Sequence, residues 1–464
     1  MLNTMKDLDA TVMNAFKAEV RGQIILPGDA AYQEECRLYN AMIQKHPGMI
    51  IKCMDVADVI AAVNFGRENN LLVAIRGGGH NGGGLGSCDD GMVISLSGIK
   101  YVRVDTATGT VRVGGGNTWG EIDHATHPFG LAVPGGIIST TGVGGLTLGG
   151  GIGYLTKKYG LSIDNLLEVD MVLADGSFTT ASAENNSDLF WAVRGGGGNF
   201  GVVTSFKFQA HPVKNVYGGP TLWPVEKTKE TMAWYDEFLS VAPDDLNGFF
   251  VELMIPGPPF PEFLHHKKFC GVVWCYAGDI SKAEEIFKPI LETNPVFQHI
   301  GEMPYPAIQK LFDGVFPPGL QWYWKADFFN ELAETARDKH LEFGLKIPTL
   351  LSQMHLYPVS GAAGRVTNDA TAWAYRDARY AEVIVGVDPV PENAEKITRW
   401  CKDYWQELHP YSCGGAYLNF MMDEGQERVK ASYRDNYKRL RQVKKKYDPN
   451  NFFSVNQNIL PATG

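Results

Sequence analysis

Twenty-four of the 52 glycines in this 464-residue chain fall between Gly77 and Gly153. Each glycine in a helix or strand interior costs roughly 0.5 to 1 kcal/mol relative to alanine. So dense a run therefore serves turns, or sites where backbone must come close to something else. Three segments are richest: RGGGHNGGGLG from Arg76, GVGGLTLGGGIGY from Gly142 to Tyr154, and RGGGGNFG from Arg194. A strand-to-helix dinucleotide loop needs GxGxxG opening a helix, with an acid about 20 residues on; Gly77, Gly79 and Gly82 keep the spacing, but residues 91–104 carry no acid, so the full arrangement is lacking. Nor does a GxxxxGK[ST] phosphate loop occur. Tight turns explain any one segment. Three together fit a nest of bare N–H groups gathered around one long anionic ligand, because amides without a Cβ can approach a pyrophosphate.

The length exceeds the roughly 250 to 300 residues at which a single core usually divides, so two packed domains are expected. Charged residues make up 20% and the net charge is −10, a balance without the basic face that nucleic acid requires. The N-terminus carries acids early, and no stretch reaches the roughly 20 apolar residues of a membrane span. The expected location is cytoplasmic, with no membrane or nucleic-acid partner. Seven cysteines at scattered spacings form neither a disulfide framework nor a CxxC metal motif, so they read as free thiols and no metal is expected.

Periodicity predicts a helix over Val56 to Glu68, a strand over Leu71 to Ile75 entering the first glycine loop, and strands at Met92 to Leu96, Tyr101 to Asp105 and Thr110 to Val113. A helix from Thr118 or Trp119 comes next. Strands from Glu168 to Ala174 and Val202 to His211 bracket the third glycine run. The Gly142 to Tyr154 segment is too glycine-rich for an ordinary helix interior. Beyond Pro212 glycine thins and aromatics thicken. Helices at Lys227 to Val241, Ile280 to Asn294, Glu331 to Leu345 and Pro391 to Leu408 alternate with strands at Gly248 to Met254, Gly271 to Ala277 and Leu351 to Pro358, an α+β domain whose sheet could cover a ligand. A basic helix from Arg428 to Tyr447 ends at Asp448-Pro449.

The segments VAIRGGGHN (Val73 to Asn81), TTGVGGLTLGGGIGYLTKKYGLSIDN (Thr140 to Asn165), FWAVRGGGGNFGVVT (Phe190 to Thr204) and YDPNNFFSVNQNI (Tyr447 to Ile459) together resemble the FAD-linked oxidases of the berberine bridge enzyme type. The likeness is closest to the bacterial branch that includes 6-hydroxy-D-nicotine oxidase. This resemblance implies an α+β, two-domain fold. A PCMH-type FAD-binding domain would span 1–213, an antiparallel sheet backed by helices would form a substrate domain over 214–410, and the tail 411–464 would return to the first domain. It implies FAD bound covalently through His80 to the flavin 8α-methyl, with Arg76, Gly77, Gly78, Gly79 and Asn81 as the pyrophosphate loop. Pro134 and Gly135 would approach the isoalloxazine. Thr140, Thr141, Gly142, Gly144, Gly145, Gly149, Gly150, Gly151 and Gly153 would lie along the pyrophosphate and ribityl, Gly201, Val202 and Val203 would meet the adenine region, Asn456 and Asn458 the isoalloxazine or ribityl, and Asp164 and Asn165 would be further cofactor-binding residues. The position that carries a second, cysteinyl attachment in plant relatives is Ile138, so a single bond is expected. Thr141 occupies the position that gates O₂ in relatives, and its valine-like shape favours an oxidase.

Hydride removal is eased by a base that takes the neighbouring O–H or N–H proton. Tyr417, in GGAYLNFMMDEG, resembles the family's Y-x-N-[YF] tyrosine and is the first candidate, with Asn419 expected on the same strand face and Lys325 as a cation to stabilise phenolate. On the strand LLSQMHLYPV, Gln353, His355 and Tyr357 alternate and should share the pocket face, which leaves His355 as an alternative base. Trp322 and Trp324 suit an aromatic wall. The expected activity is oxidation of a small alcohol, sugar, amine or phenolic compound with O₂ as acceptor, by a monomer or homodimer. A flavin dehydrogenase with another acceptor, or a flavin-binding protein without turnover, is the alternative.

Overall fold

The runs MIIK, VAIR and MVIS make the parallel part of a small sheet in a computed structural model that describes residues 2–4 and 7–463. Residues 1 and 464, the outer limits of the expected first domain and tail, lie outside the described residues. Strand Met49–Lys52 pairs in parallel with Met92–Ser95, which pairs in parallel with Val73–Arg76, and Gln23–Ile25 closes the edge antiparallel. Helix Val56–Glu68 begins at Asp55, whose carboxylate caps the Asp58 N–H, and packs Val59, Ala62 and Val63 on Ile51, Val73 and Ile94. The sheet therefore delivers its Val73–Arg76 strand, end on, into the first glycine loop.

A second, five-stranded antiparallel sheet runs in the order Val102–Asp105, Thr110–Gly114, Val202–Gln209, Leu166–Val172, Phe178–Ser182. Its apolar side joins Val113, Val169, Phe206 and Phe208 to Phe190, Val193, Leu440, Val443 and Ile459, so residues near the C-terminus share this core. Buried Lys444 secures the junction, donating to the carbonyls of Asn199 and Phe453 and to Asp448.

Residues 215–388 build the largest sheet, eight antiparallel strands with Leu246–Met254, Gln353–Pro358, Tyr380–Asp388 and Gln321–Phe329 adjacent in that order. Side chains alternate between its faces. Phe250, Met354, Leu356 and Ile384 lie beneath helices Thr228–Val241, Glu334–Gly344 and Ala394–Leu408, whereas Phe249, Tyr357, Val383, Val385 and Trp322 join the core that reaches Ile152 and Tyr154. The fold is α+β, as its periodicities indicate.

Three local expectations are corrected. Val143–Leu148 is a short helix despite its glycines, anchored by burial of Val143, Thr147 and Leu148. The tail helix is two helices, Gln426–Tyr433 and Asn436–Tyr447, broken at Arg434, whose φ of 47° is held by a guanidinium stacked 3.6 Å from the Tyr375 ring centroid and bonded to Asp377. Leu418–Phe420 is a 3₁₀ turn, so Tyr417 and Asn419 do not share a strand. All seven cysteines are unpaired.

Candidate active site

A cleft of about 330 Å³ opens between the glycine loops and the inner face of the eight-stranded sheet. Gly77, Gly78 and Gly79, then Gly142, Gly144, Gly145 and Gly149, then Gly197, Gly198 and Gly201 all line it. The three glycine-dense segments thus converge on one space. Close approach explains the residue type: a Cβ on Gly78 would lie 2.5 Å from the Gly142 nitrogen, and one on Gly142 would lie 2.3 Å from that of Gly78. Among the described residues, the N–H groups of Gly78, Gly79, His80 and Asn81 make no hydrogen bond to other backbone. The Asn456 Oδ1, at the cleft wall, is buried without a partner. Buried polar groups left open in this way call for a bound polar ligand or water, and a diphosphate-bearing nucleotide fits a nest of open N–H groups.

His80 sits on this wall, half-buried. Its ring stacks on Tyr39 with centroids 3.9 Å apart, its Nε2 lies 3.1 Å from the Thr140 hydroxyl and its Nδ1 3.4 Å from that of Thr141. Desolvation pulls its pKa down to about 4, so the imidazole is neutral and retains a nucleophilic lone pair. Arg76 begins the same loop and lines the cleft; it donates to the Glu35 carbonyl at 2.6 Å and pairs with its carboxylate at 3.4 Å. Asn40 ties the loop to the opposite wall, donating to the carbonyls of Gly82 and Trp322 at 2.7 and 3.0 Å.

That opposite wall carries Trp322, Trp324, Gln353, His355, Tyr357, Tyr417 and Asn419. Gln353, His355 and Tyr357 form a chain in which His355 Nε2 is 2.6 Å from Gln353 Oε1 and its Nδ1 is 2.7 Å from the Tyr357 hydroxyl. Burial lowers the His355 pKa to about 3 and pushes the Tyr357 phenol far up. The Tyr417 oxygen accepts three N–H donors, from Gly151 at 2.8 Å, Ile152 at 3.3 Å and the Asn419 amide at 2.6 Å. These donors favour phenolate, while burial, the larger effect, holds the pKa up at about 12. Asn419 reaches Tyr417 from the 3₁₀ turn. Gly151 supplies its amide from a backbone φ of +84° that suits glycine.

Lys325 is not the expected cation: it alternates to the helix face, ion-paired with Glu424 and lying over the Trp405 ring. Other expected contacts stand behind the cleft wall. Pro134 accepts from Ser162, Gly135 lies against the Trp119 ring, Gly150 against Trp373, and Gly153 against the Gly135 carbonyl. Asp164 receives two hydrogen bonds from Arg376, and Asn165 donates to the carbonyls of Tyr159 and Leu161. The Val202 side chain is buried under the first sheet, and the Asn458 carbonyl accepts from Gln426. Their common reason is packing: these residues hold the loops that carry the lining. Gly201 and Val203 do line the cleft, and Thr140 touches it only through His80.

Sequence reasoning missed Tyr39, Phe312, Phe316 and Leu351, all lining residues. Tyr39 lies 41 positions before His80 with no motif around it, and only the fold reveals its place, through its ring on His80 and its hydroxyl bond to the Phe316 carbonyl at 2.7 Å. Phe312 and Phe316 lie in turns after helix Tyr305–Gln309, where no periodicity marks a lining residue.

Residues 47–182 match the family described as "FAD binding domain" and residues 416–460 the family "Berberine and berberine like". The chain is 34% identical to an FAD-linked oxidoreductase of Dictyostelium discoideum over 458 residues, covering 97% of each protein. It is 35% identical to (R)-6-hydroxynicotine oxidase of Paenarthrobacter nicotinovorans over 205 residues, 44% of this chain and 45% of that one. The crystal structure of 6-hydroxy-D-nicotine oxidase from Arthrobacter nicotinovorans superposes with a TM-score of 0.86 at 26% identity, covering 96% of this chain and 98% of that one. A berberine-bridge-like protein of Physcomitrella patens shares the fold, with a TM-score of 0.87 at 23% identity and coverage of 98% and 100%. The glycine cradle, the matched families and the full-length relatives agree, and the chain belongs to the berberine-bridge-enzyme-like FAD-linked oxidoreductases.

Proposed function

We propose that the protein is an oxidase that holds FAD through one covalent bond to His80 and oxidises a small organic substrate in the space between His80 and Tyr417. The observation that carries this reading is the neutral, cleft-facing imidazole of His80, set in the convergent glycine loops and oriented by Tyr39, Thr140 and Thr141. Ile138 lines the cleft where a second attachment would need a thiol, so one bond is expected. FAD supplies a two-electron acceptor that takes hydride from a substrate C–H, and an electron-poor, histidyl-linked flavin is the stronger acceptor.

The protein's own residues position and deprotonate. The glycine-loop amides and Arg76 hold the diphosphate. Trp322, Trp324, Phe312 and Phe316 enclose the substrate and exclude water. Tyr417 takes the substrate's hydroxyl proton, its phenolate supported by Gly151, Ile152 and Asn419. His355 is the weaker base candidate, because both its nitrogens are engaged by Gln353 and Tyr357. Thr141, small and β-branched on the cleft wall, leaves room for O₂. The division into an FAD-binding part, a substrate part and a returning tail is the corresponding domain proposal, supported by the core that 416–459 shares with 111–210.

Intact-mass measurement of the denatured, flavinylated protein tests the bond: the FAD adduct is expected in the wild type and absent in His80→Ala. Bare polypeptide mass in the wild type refutes it. Stopped-flow reoxidation in air separates an oxidase from a dehydrogenase, and slower reoxidation is expected in Thr141→Leu.

A further inference from the structure

We propose that the site selects uncharged, ring-bearing substrates carrying a hydroxyl, and that the Gln353–His355–Tyr357 chain performs the selection by fixing the Tyr357 oxygen as a hydrogen-bond acceptor. The inference rests on the flavin-site reading and narrows it from small organic substrates in general.

The direction of the chain is set by its ends. The Gln353 carbonyl oxygen can only accept, so the His355 Nε2 bears the proton and donates to it at 2.6 Å. The Nδ1 of that neutral tautomer carries a lone pair, so the Tyr357 hydroxyl donates to it at 2.7 Å. Having given its only proton to His355, the Tyr357 oxygen presents only acceptor capacity to the cleft it lines. Its natural partner is a donor on the substrate's ring, an O–H apart from the one whose proton Tyr417 takes.

The rest of the cavity sets the remaining terms. Among the described lining residues only Arg76 is charged, and it lies in the glycine loop, paired with Glu35. Around the chain the wall is Phe312, Phe316, Trp322, Leu351 and Val385. An ammonium or carboxylate entering here would shed its water without a counter-charge, whereas a flat neutral ring gains by stacking and burial. A protonated amine finds no carboxylate, and an oligosaccharide finds few of the polar groups its many hydroxyls need.

Isothermal titration of the flavinylated protein near pH 7 with four unreactive probes of one size tests this: 2-naphthol, 2-methoxynaphthalene, 2-naphthoate and 2-naphthylmethylammonium. 2-Naphthol is expected to bind about tenfold or more tightly than each of the others, the yield of one well-made hydrogen bond or of avoided charge burial. In Tyr357→Phe the preference for 2-naphthol over its methyl ether should fall to within about twofold, with the discrimination against both ions kept. Either ion binding as tightly as 2-naphthol, no saturable 2-naphthol binding, or an unchanged naphthol-to-ether ratio in Tyr357→Phe overturns the proposal, and the wild-type series alone decides the charge question. Flavin attachment is read separately by mass on the same preparation, so loss of the covalent-flavin reading and loss of this one are distinguishable.

Discussion

The two faces of the eight-stranded sheet bury polar side chains in opposite ways. On the cleft face, Gln353, His355 and Tyr357 bond to one another, and across from them the Tyr417 oxygen accepts from Gly151, Ile152 and Asn419. On the helix face, Glu252, Glu382 and His340 are fully buried; Tyr404 donates to Glu252 at 2.8 Å and bonds the His340 Nδ1 at 2.6 Å, and that nitrogen lies 3.8 Å from a Glu382 oxygen, but both Glu382 oxygens, one Glu252 oxygen and the His340 Nε2 make no hydrogen bond. Burial pushes Glu252 up to about 8 and Glu382 well above the carboxylate range, and lowers His340 to about 3. The contrast teaches that polar burial becomes chemistry where partners fix direction and a cavity is adjacent; elsewhere it lowers stability. Cleft substitutions should therefore move loading and turnover, and helix-face substitutions should move stability.

The largest expected effect is at the cleft floor. Gly78→Ala forces a methyl against the Gly142 backbone, and flavin incorporation, read from the ratio of flavin to protein absorbance, should fall close to zero while the protein still folds. A fully flavinylated Gly78→Ala protein would break the claim that close backbone approach builds the site. Next, Tyr417→Phe should lower kcat on the order of 10²- to 10⁴-fold, the usual contribution of a positioned base. It also leaves three N–H donors without an acceptor, at a stability cost of about 1 to 3 kcal/mol. In the wild type kcat should rise steadily with pH and reach no plateau below about pH 11, because the phenol, whose pKa is near 12, ionises about tenfold further with each unit, and this climb should vanish in the variant.

On the other face, Glu252→Gln should leave turnover unchanged and raise stability in alkali. The folded pKa is raised above the unfolded value, so the stability contribution of Glu252 is intact below about 4.5 and is lost as pH rises through about 8. Melting curves of variant and wild type should coincide near pH 4.5 and separate by a few degrees at about pH 8.5, for a difference on the order of a few kcal/mol. Parallel curves across that range would put Glu252 in a different environment. The smallest effect is one of shape: with His355 held neutral by a pKa of about 3, kcat/KM should show no inflection between about pH 5 and 7.5. An inflection near 6.5, the ordinary imidazole value, would mean that the histidine titrates freely and that the chain to Gln353 and Tyr357 does not persist in solution.

Much was legible in the chain itself. Helix Val56–Glu68 is spelled by its apolar period and Asp55 cap, and the alternation in QMHLYP put Gln353, His355 and Tyr357 on one face because a strand has only two. The glycine runs announced a backbone-lined ligand site, since glycine at that density has few other uses. Where the sequence was misread, the fold had overruled a local rule, by a long-range contact in one place and by an irregular turn in the other. Arg434 breaks a continuous-looking helix because Tyr375 and Asp377 hold its side chain, and Asn419 reaches Tyr417 through a turn that no two-residue period describes.

Local pattern, set by backbone sterics and side-chain period, thus determined the elements, the glycine cradle and the residues able to do chemistry. The tertiary structure alone decided which of them meet. It placed Tyr39 on His80, turned Lys325 away to Glu424, and set Pro134, Asp164 and Asn165 behind the cleft as its supports. The physical reason is that a hydrogen bond or ring contact is fixed by distances of a few ångströms, and residues dozens or hundreds of positions apart acquire those distances only when sheets and loops have packed.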